Sequence, residues 1–121
     1  MVGSNKEMSA KAPPPGGIFV YPHTFQPIVL NHILMPIMYY VYVLKSKKDS
    51  LLYLGSTNDL KRRLSEHNNG LVFSTKGRLP FEIRYYESYF NEKDARRRES
   101  SLKKDGKAWG QLKRRISESL E

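Results

Sequence analysis

The run Tyr39-Tyr40-Val41-Tyr42-Val43-Leu44 restricts the possible folds more than any other segment of the chain. β-Branched and aromatic side chains without interruption suit a strand. The polar stretch Lys45 to Ser50, followed by Leu51-Leu52-Tyr53-Leu54-Gly55, suits a turn and a return strand. A β-hairpin is therefore predicted at this point.

Beyond Gly55 the chain alternates helix and strand signals. Asn58 is predicted to cap a helix running from about Asp59 to Asn68, with Leu60 and Leu64 four apart and Asn69-Gly70 closing it. Residues 69 to 80 carry Gly70, Gly77 and Pro80 around Ser74, Thr75, Lys76 and Arg78, a polar loop long enough to hold function. Phe81 to Phe90 restores a strand pattern. Asn91 then caps a second helix, with Glu92 and Asp94 in its first turn and Asp105-Gly106 at its end. Trp109, Leu112, Ile116 and Leu120 mark a third helix by their spacing. The order ββαβαα predicts an α+β domain, a small mostly antiparallel three-stranded sheet flanked by helices and burying one face beneath them.

This domain is expected over residues 38–121. Residues 1–37 differ, holding six of the seven prolines and only Lys6, Glu7 and Lys11 as charges, which predicts a loosely ordered Pro-rich extension. Pro22, Pro27 and Pro36 interrupt its apolar part, so no membrane span is expected, and no signal-peptide pattern stands there. Met38, directly before the first strand pattern, is a candidate start of the functional chain.

The 121 residues contain no cysteine, which removes disulfide frameworks, thiolate metal sites and thiol nucleophiles and predicts a cytoplasmic protein. A net charge of +9 attracts polyanions, and residues 38–121 carry +8 of it. No Gly-rich phosphate loop is present, so a nucleotide cofactor is not expected.

Several residues are poorly placed for packing alone. Leu60, Arg63, Leu64 and His67 follow i, i+3, i+4, i+7, which puts an arginine and a histidine on the stripe that should face the sheet. Glu99 lies between Ala95 and Leu102 on the second helix, although isolated carboxylates rarely accept burial. Tyr42 and Tyr53, on paired strands, can meet on one sheet face. Packing has plainer accounts of each: a snorkelling Arg63, a bonded edge His67, an i,i+4 pair of Glu99 with Lys103, and two tyrosines filling a half-buried surface.

Taken in order, Tyr40-Val41-Tyr42, Tyr53-Leu54-Gly55, Arg63, His67 and Glu99 resemble the GIY-YIG nuclease superfamily. The likeness is to its small single-domain members, similar to the nuclease module of UvrC-type excision nucleases. Steps of eleven residues from Tyr42 to Tyr53, ten to Arg63 and four to His67 look like the family pattern. The chain departs from it at Ser56, where UvrC-type proteins have Lys, and in having no Asn after Glu99.

The resemblance implies a metal-dependent DNA endonuclease, serving repair or recombination, with Tyr42, Tyr53, Arg63, His67 and Glu99 as catalytic residues. Glu99 would hold one Mg²⁺ or Mn²⁺, a hard ion suited to one carboxylate plus phosphate oxygens. Arg63 would grip the scissile phosphate through its planar fork. Tyr42 would act as general base, helped by Tyr53 and by His67, whose ordinary pKa near 6.5 makes it the easier proton acceptor. Gly55 would allow close approach of backbone or helix. Phosphate contacts are expected from Gly55, Lys61, Arg62, Lys76, Arg78 and Lys103, and from the basic runs 96–98 and 113–115. One site per chain implies nicking by a single copy. Two other readings compete: a nucleic-acid-binding module of the same fold that cuts little or not at all, and a basic protein-interaction domain docking through the third helix.

Overall fold

A computed structural model describes residues 36–121 and the backbone of two short strands, β1 (Val29–Leu30) and β2 (Ile33–Leu34). These two pair antiparallel within a unit spanning Met1–Pro36. The loosely ordered extension expected over residues 1–37 lies almost wholly outside the described residues.

The second unit, Ile37–Glu121, carries β3 (Tyr39–Ser46), β4 (Leu52–Thr57), α1 (Leu60–Asn68), β5 (Phe81–Tyr89), α2 (Glu92–Lys104) and α3 (Gly106–Arg115). This is the ββαβαα order read from the sequence. The sheet is fully antiparallel with strand order β4-β3-β5, so the hydrophobic run forms the central strand.

That position explains the main difference from expectation. Val41, Tyr42, Val43 and Leu44 are all buried, because helices cover both faces of the sheet and not one. Val41 and Val43 pack with Ala95 and Leu102 of α2 and with Leu112 and Ile116. Tyr42 and Leu44 point the other way, toward Phe81 and toward Leu60 and Leu64 of α1. A strand without polar alternation belongs in the middle of a layered sheet, since either face would otherwise expose apolar surface. The stripe of α3 closes this core, which removes it as a free docking face.

Local chemistry fixes the helix ends. Asp59, not Asn58, caps α1, accepting from the Arg62 amide at 3.0 Å, while Asn58 accepts from the Arg62 guanidinium at 3.3 Å. Asn91 caps α2 as expected, accepting from the Lys93 amide at 2.8 Å. Asp105 ends α2 and also caps α3 through the Lys107 amide at 2.9 Å, so Gly106 opens a helix directly and no loop intervenes. The loop between α1 and β5 is held at its base: Asn68 exchanges two hydrogen bonds with Phe81, at 2.7 and 3.0 Å, and the Ser46 hydroxyl donates to the Arg78 carbonyl at 2.5 Å. Among the described residues no helix is long and apolar enough to cross a membrane.

The β3–β4 register sets Tyr42 opposite Gly55, and the Tyr42 ring lies across that position. A Cβ at residue 55 would meet the Tyr42 hydroxyl oxygen at 2.5 Å and Cζ at 2.7 Å. The missing side chain thus makes room for a phenol from the neighbouring strand, not for a helix or a ligand. Gly55→Ala should therefore displace Tyr42 and lower stability by about 1–3 kcal/mol, the usual range for overpacking. Urea unfolding measures this, and an unchanged midpoint would contradict the close contact.

Candidate active site

Beneath α1, three predicted residues come together. Tyr42 is 2% exposed and His67 fully buried, and the phenol hydroxyl lies 2.9 Å from His67 Nε2. Tyr53, on the edge strand β4, sets its ring edge-on to the imidazole with centroids 4.9 Å apart, and 6.4 Å from the ring of Tyr42. On its far side His67 Nδ1 lies 2.8 Å from the hydroxyl of Thr75, itself fully buried. Nothing in the sequence singles out Thr75, one hydroxyl among others in a polar loop.

Burial sets the protonation of this group. It pushes the Tyr42 phenol up to about 12, against the opposing influence of Arg63. The same cause, reinforced by the Arg63 charge, pushes His67 down to about 4. His67 is therefore a neutral imidazole at pH 7, and the ordinary value assumed for it as proton acceptor is corrected by its burial.

Arg63 connects this pair to solvent. With Tyr40, Ser56, Asn58, Arg62 and Arg96 it lines a cleft of 260 Å³. Its guanidinium bonds Glu66 at 2.9 Å, which pushes the Arg63 pKa up and keeps the side chain charged. The side chain remains one-third exposed, so an anion in the cleft can reach it.

Glu99 approaches from the opposite face of the sheet. Its carboxylate accepts from the Ser56 hydroxyl at 2.6 Å and from Lys103 at 2.9 Å. Ser56 also lines the cleft, which places Glu99 immediately behind its wall. Burial opposes ionisation here, but the Ser56 and Lys103 bonds outweigh it and hold the carboxyl below the usual range. Both the i,i+4 pair and the unusual position read from the sequence are thus present together.

Those bonds use one lone pair on each carboxylate oxygen, leaving the second free. Among the described residues no three His, Asp or Glu side chains gather as a metal cage. A hard divalent ion completed by water and substrate phosphates needs only one or two carboxylates, and the ionised Glu99 fits that requirement.

The expected phosphate contacts divide. Lys61 is exposed, Arg62 lines the cleft mouth, and Lys76 is exposed with its ammonium 4.9 Å from the Phe73 ring centre. Arg78 is instead tied to Asp49 at 2.7 Å beside the hairpin turn, and Lys103 is committed to Glu99. Arg98 holds Glu87 at 2.9 Å, joining α2 to β5. Gly55 is buried under Tyr42. For Arg78, Arg98 and Lys103, counting basic residues could not reveal that a nearby carboxylate already claims the charge.

The GIY-YIG catalytic domain family matches residues 38–115, well over half of the chain. The chain belongs to the GIY-YIG family. Relatives include a UPF0213 protein of Clostridium perfringens, 46% identical over 68 residues, covering 55% of this chain and 72% of the other. A UPF0213 protein of Halobacterium salinarum is 39% identical over 72 residues, covering 59% and 92% respectively. One from Oceanobacillus iheyensis is 39% identical over 66 residues, covering 54% and 76%. No solved structure matches the chain. The three-stranded sheet with its three helices is the fold that the resemblance implied, and the GIY-YIG domain coincides with the unit that carries the cleft.

The depressed His67 pKa gives this GIY-YIG domain a pH signature. Between its ordinary 6.5 and the native value of about 4, the unfolded state binds a proton that the folded state refuses. This contribution to stability is complete above pH 6.5 and is lost as pH falls toward 4. Urea titrations at pH 6.5 and 4 should show a larger stability loss in wild type than in His67→Gln. Equal losses would contradict the buried neutral imidazole.

Proposed function

We propose that this protein is a metal-dependent DNA endonuclease that hydrolyses phosphodiester bonds. The observation that carries the reading is the convergence on one cleft of Arg63, the buried Tyr42–His67 pair behind it, and the ionised Glu99 behind Ser56, within a GIY-YIG fold.

The scissile phosphate binds at Arg63, whose fork makes two charge-assisted bonds and stabilises the charge that develops on the phosphoryl oxygens. A water aligned with phosphorus gives its proton to the Tyr42 oxygen as the phenol passes its own proton to His67 Nε2. The two transfers run together, because a phenol near 12 leaves no standing phenolate at neutral pH. The new P–O bond forms as the bond to the leaving sugar oxygen breaks, and that oxygen takes a proton from solvent. His67 is the net proton acceptor.

Phosphate binding assists this transfer. The charge of Arg63 is one reason that His67 is such a weak base, and a phosphate on Arg63 cancels that charge. The imidazole thus gains basicity when substrate is present. A divalent cation on Glu99 would supply Lewis acidity at the phosphate and positive charge near Tyr42. Lys61, Arg62 and Lys76 are exposed candidate backbone contacts, and no reader module accompanies them, so weak sequence preference is expected. Repair or recombination of DNA fits such an activity.

The second reading, a binding module that does not cut, draws support from Lys103, a cation already seated on Glu99. Incubation of full-length protein with supercoiled plasmid, in Mg²⁺ or Mn²⁺ and in EDTA, separates the two. Nicking that needs the metal, and that falls by at least about 100-fold in folded Glu99→Ala and Arg63→Ala, is expected from the loss of groups acting on transition-state charge. Plasmid binding without nicking would overturn the endonuclease reading.

A further inference from the structure

The loop between α1 and β5 contributes nothing to the family motif, yet it supplies the hydrogen-bond partner that His67 needs. Thr75 is fully buried, in a loop whose neighbouring Ser74 and Lys76 are exposed. A buried hydroxyl in a solvent-facing segment calls for a partner, and Thr75 has two. One is His67 Nδ1 at 2.8 Å, and the other is the Val72 carbonyl at 3.4 Å.

The direction of these bonds is set by what each group can do. The Val72 carbonyl only accepts, and the Thr75 hydroxyl lies within reach to donate its single proton there. Oγ1 then faces His67 with a lone pair, and Nδ1 must carry the ring proton to bond it. A neutral imidazole holds one ring proton, so Nε2 is bare and accepts from the Tyr42 hydroxyl at 2.9 Å. In this sense the four groups form one chain, from Tyr42 through His67 and Thr75 to the backbone of Val72. In the reverse sense the Thr75 proton would go to Nδ1 and Nε2–H would donate to the Tyr42 oxygen, with the Val72 carbonyl keeping only the Thr75 amide at 3.0 Å.

We propose that Thr75 is a positioning residue that fixes His67 as its Nδ1–H tautomer and so keeps Nε2 free to receive the Tyr42 proton. This deepens the endonuclease reading and rests on it for its catalytic meaning, while the tautomer itself is a property of the folded protein. The same logic governs other nucleophile and base pairs, in which a third group orients the base. Here a hydroxyl backed by a carbonyl replaces a carboxylate. It orients the ring without adding a negative charge that would make the imidazole more basic, consistent with a base activated only when phosphate arrives.

The arrangement also links the loop to the chemistry. Asn68 and Phe81 fix the loop at its base, and Thr75 fixes its middle against the imidazole. A change in the loop that withdraws Thr75 would free the ring to take either tautomer.

Nitrogen NMR of full-length protein labelled in its histidine rings reads the tautomer without any cleavage assay, with His67 assigned by its loss in His67→Gln. Wild type should show a protonated Nδ1 and an unprotonated Nε2 at pH 7. Thr75→Val, which keeps the shape and removes the hydroxyl, should populate the other tautomer, and Thr75→Ser should restore the first. In plasmid nicking, Thr75→Val should lower kcat by about 10- to 100-fold with KM little changed, the range known for metal-bound imidazoles that lose the group orienting them. Thr75→Ser should recover most of that loss, which a merely structural role would not require. A wild-type His67 carrying its proton on Nε2 would overturn the proposal, as would a folded Thr75→Val with unchanged tautomer. If Thr75→Val does not fold, the wild-type and Thr75→Ser spectra decide. A protein with the expected tautomer that never nicks DNA would count against the endonuclease reading and leave the Thr75 assignment standing.

Discussion

The hydrogen bond between Tyr42 and His67 ties the hydrophobic core to the cleft. Burying a phenol and an imidazole against apolar neighbours costs free energy unless each polar atom finds a partner. The fold meets that requirement in one line, from the central strand through α1 to the loop after it. Gly55 gives the phenol space, Asp59 starts α1 at the residue that sets its helical phase, and Thr75 closes the far side of the ring. If the bond breaks, two buried polar groups lose their partner in the middle of the sheet.

The central strand also explains how residues on opposite faces serve one cleft. Tyr42 looks toward α1 and Val41 toward α2, so His67 of α1 meets Tyr42 directly while Glu99 of α2 joins the site through the edge strand β4. Ser56 stands on that edge and carries the connection to Glu99. The two halves differ electrically: neutral protonated groups lie beneath α1, and an ionised carboxylate lies against α2. Arg63 stands between them, favouring phenolate character at Tyr42 and opposing a charged His67.

Much of this was legible in the chain. The periodicity of Leu60, Arg63, Leu64 and His67 announced a helix with polar groups on its buried stripe, and His67 is indeed enclosed. Asn91, the strand over 81–89 and the stripe of α3 obey local rules that tertiary packing did not disturb. What local pattern missed depends on contacts distant in sequence. Helices on both faces result from the central place of β3, which strand propensity does not specify. Thr75 is buried because the loop folds back onto α1, and its composition matches that of exposed neighbours. The pairing of Arg78 with Asp49 spans 29 residues, and nothing in either segment marks it in advance. For His67, the sequence places the group on the buried stripe but does not reveal the depth of burial that moves its titration.

Removing a single oxygen tests the account most directly. Tyr42→Phe keeps the ring and its packing but leaves no hydroxyl for water or for His67 Nε2. If Tyr42 is the group that takes the proton from water, the folded variant should bind DNA as wild type does and lose at least about 100-fold in single-turnover cleavage, the lower range for a general base. Cleavage at the wild-type rate by folded Tyr42→Phe would contradict the relay.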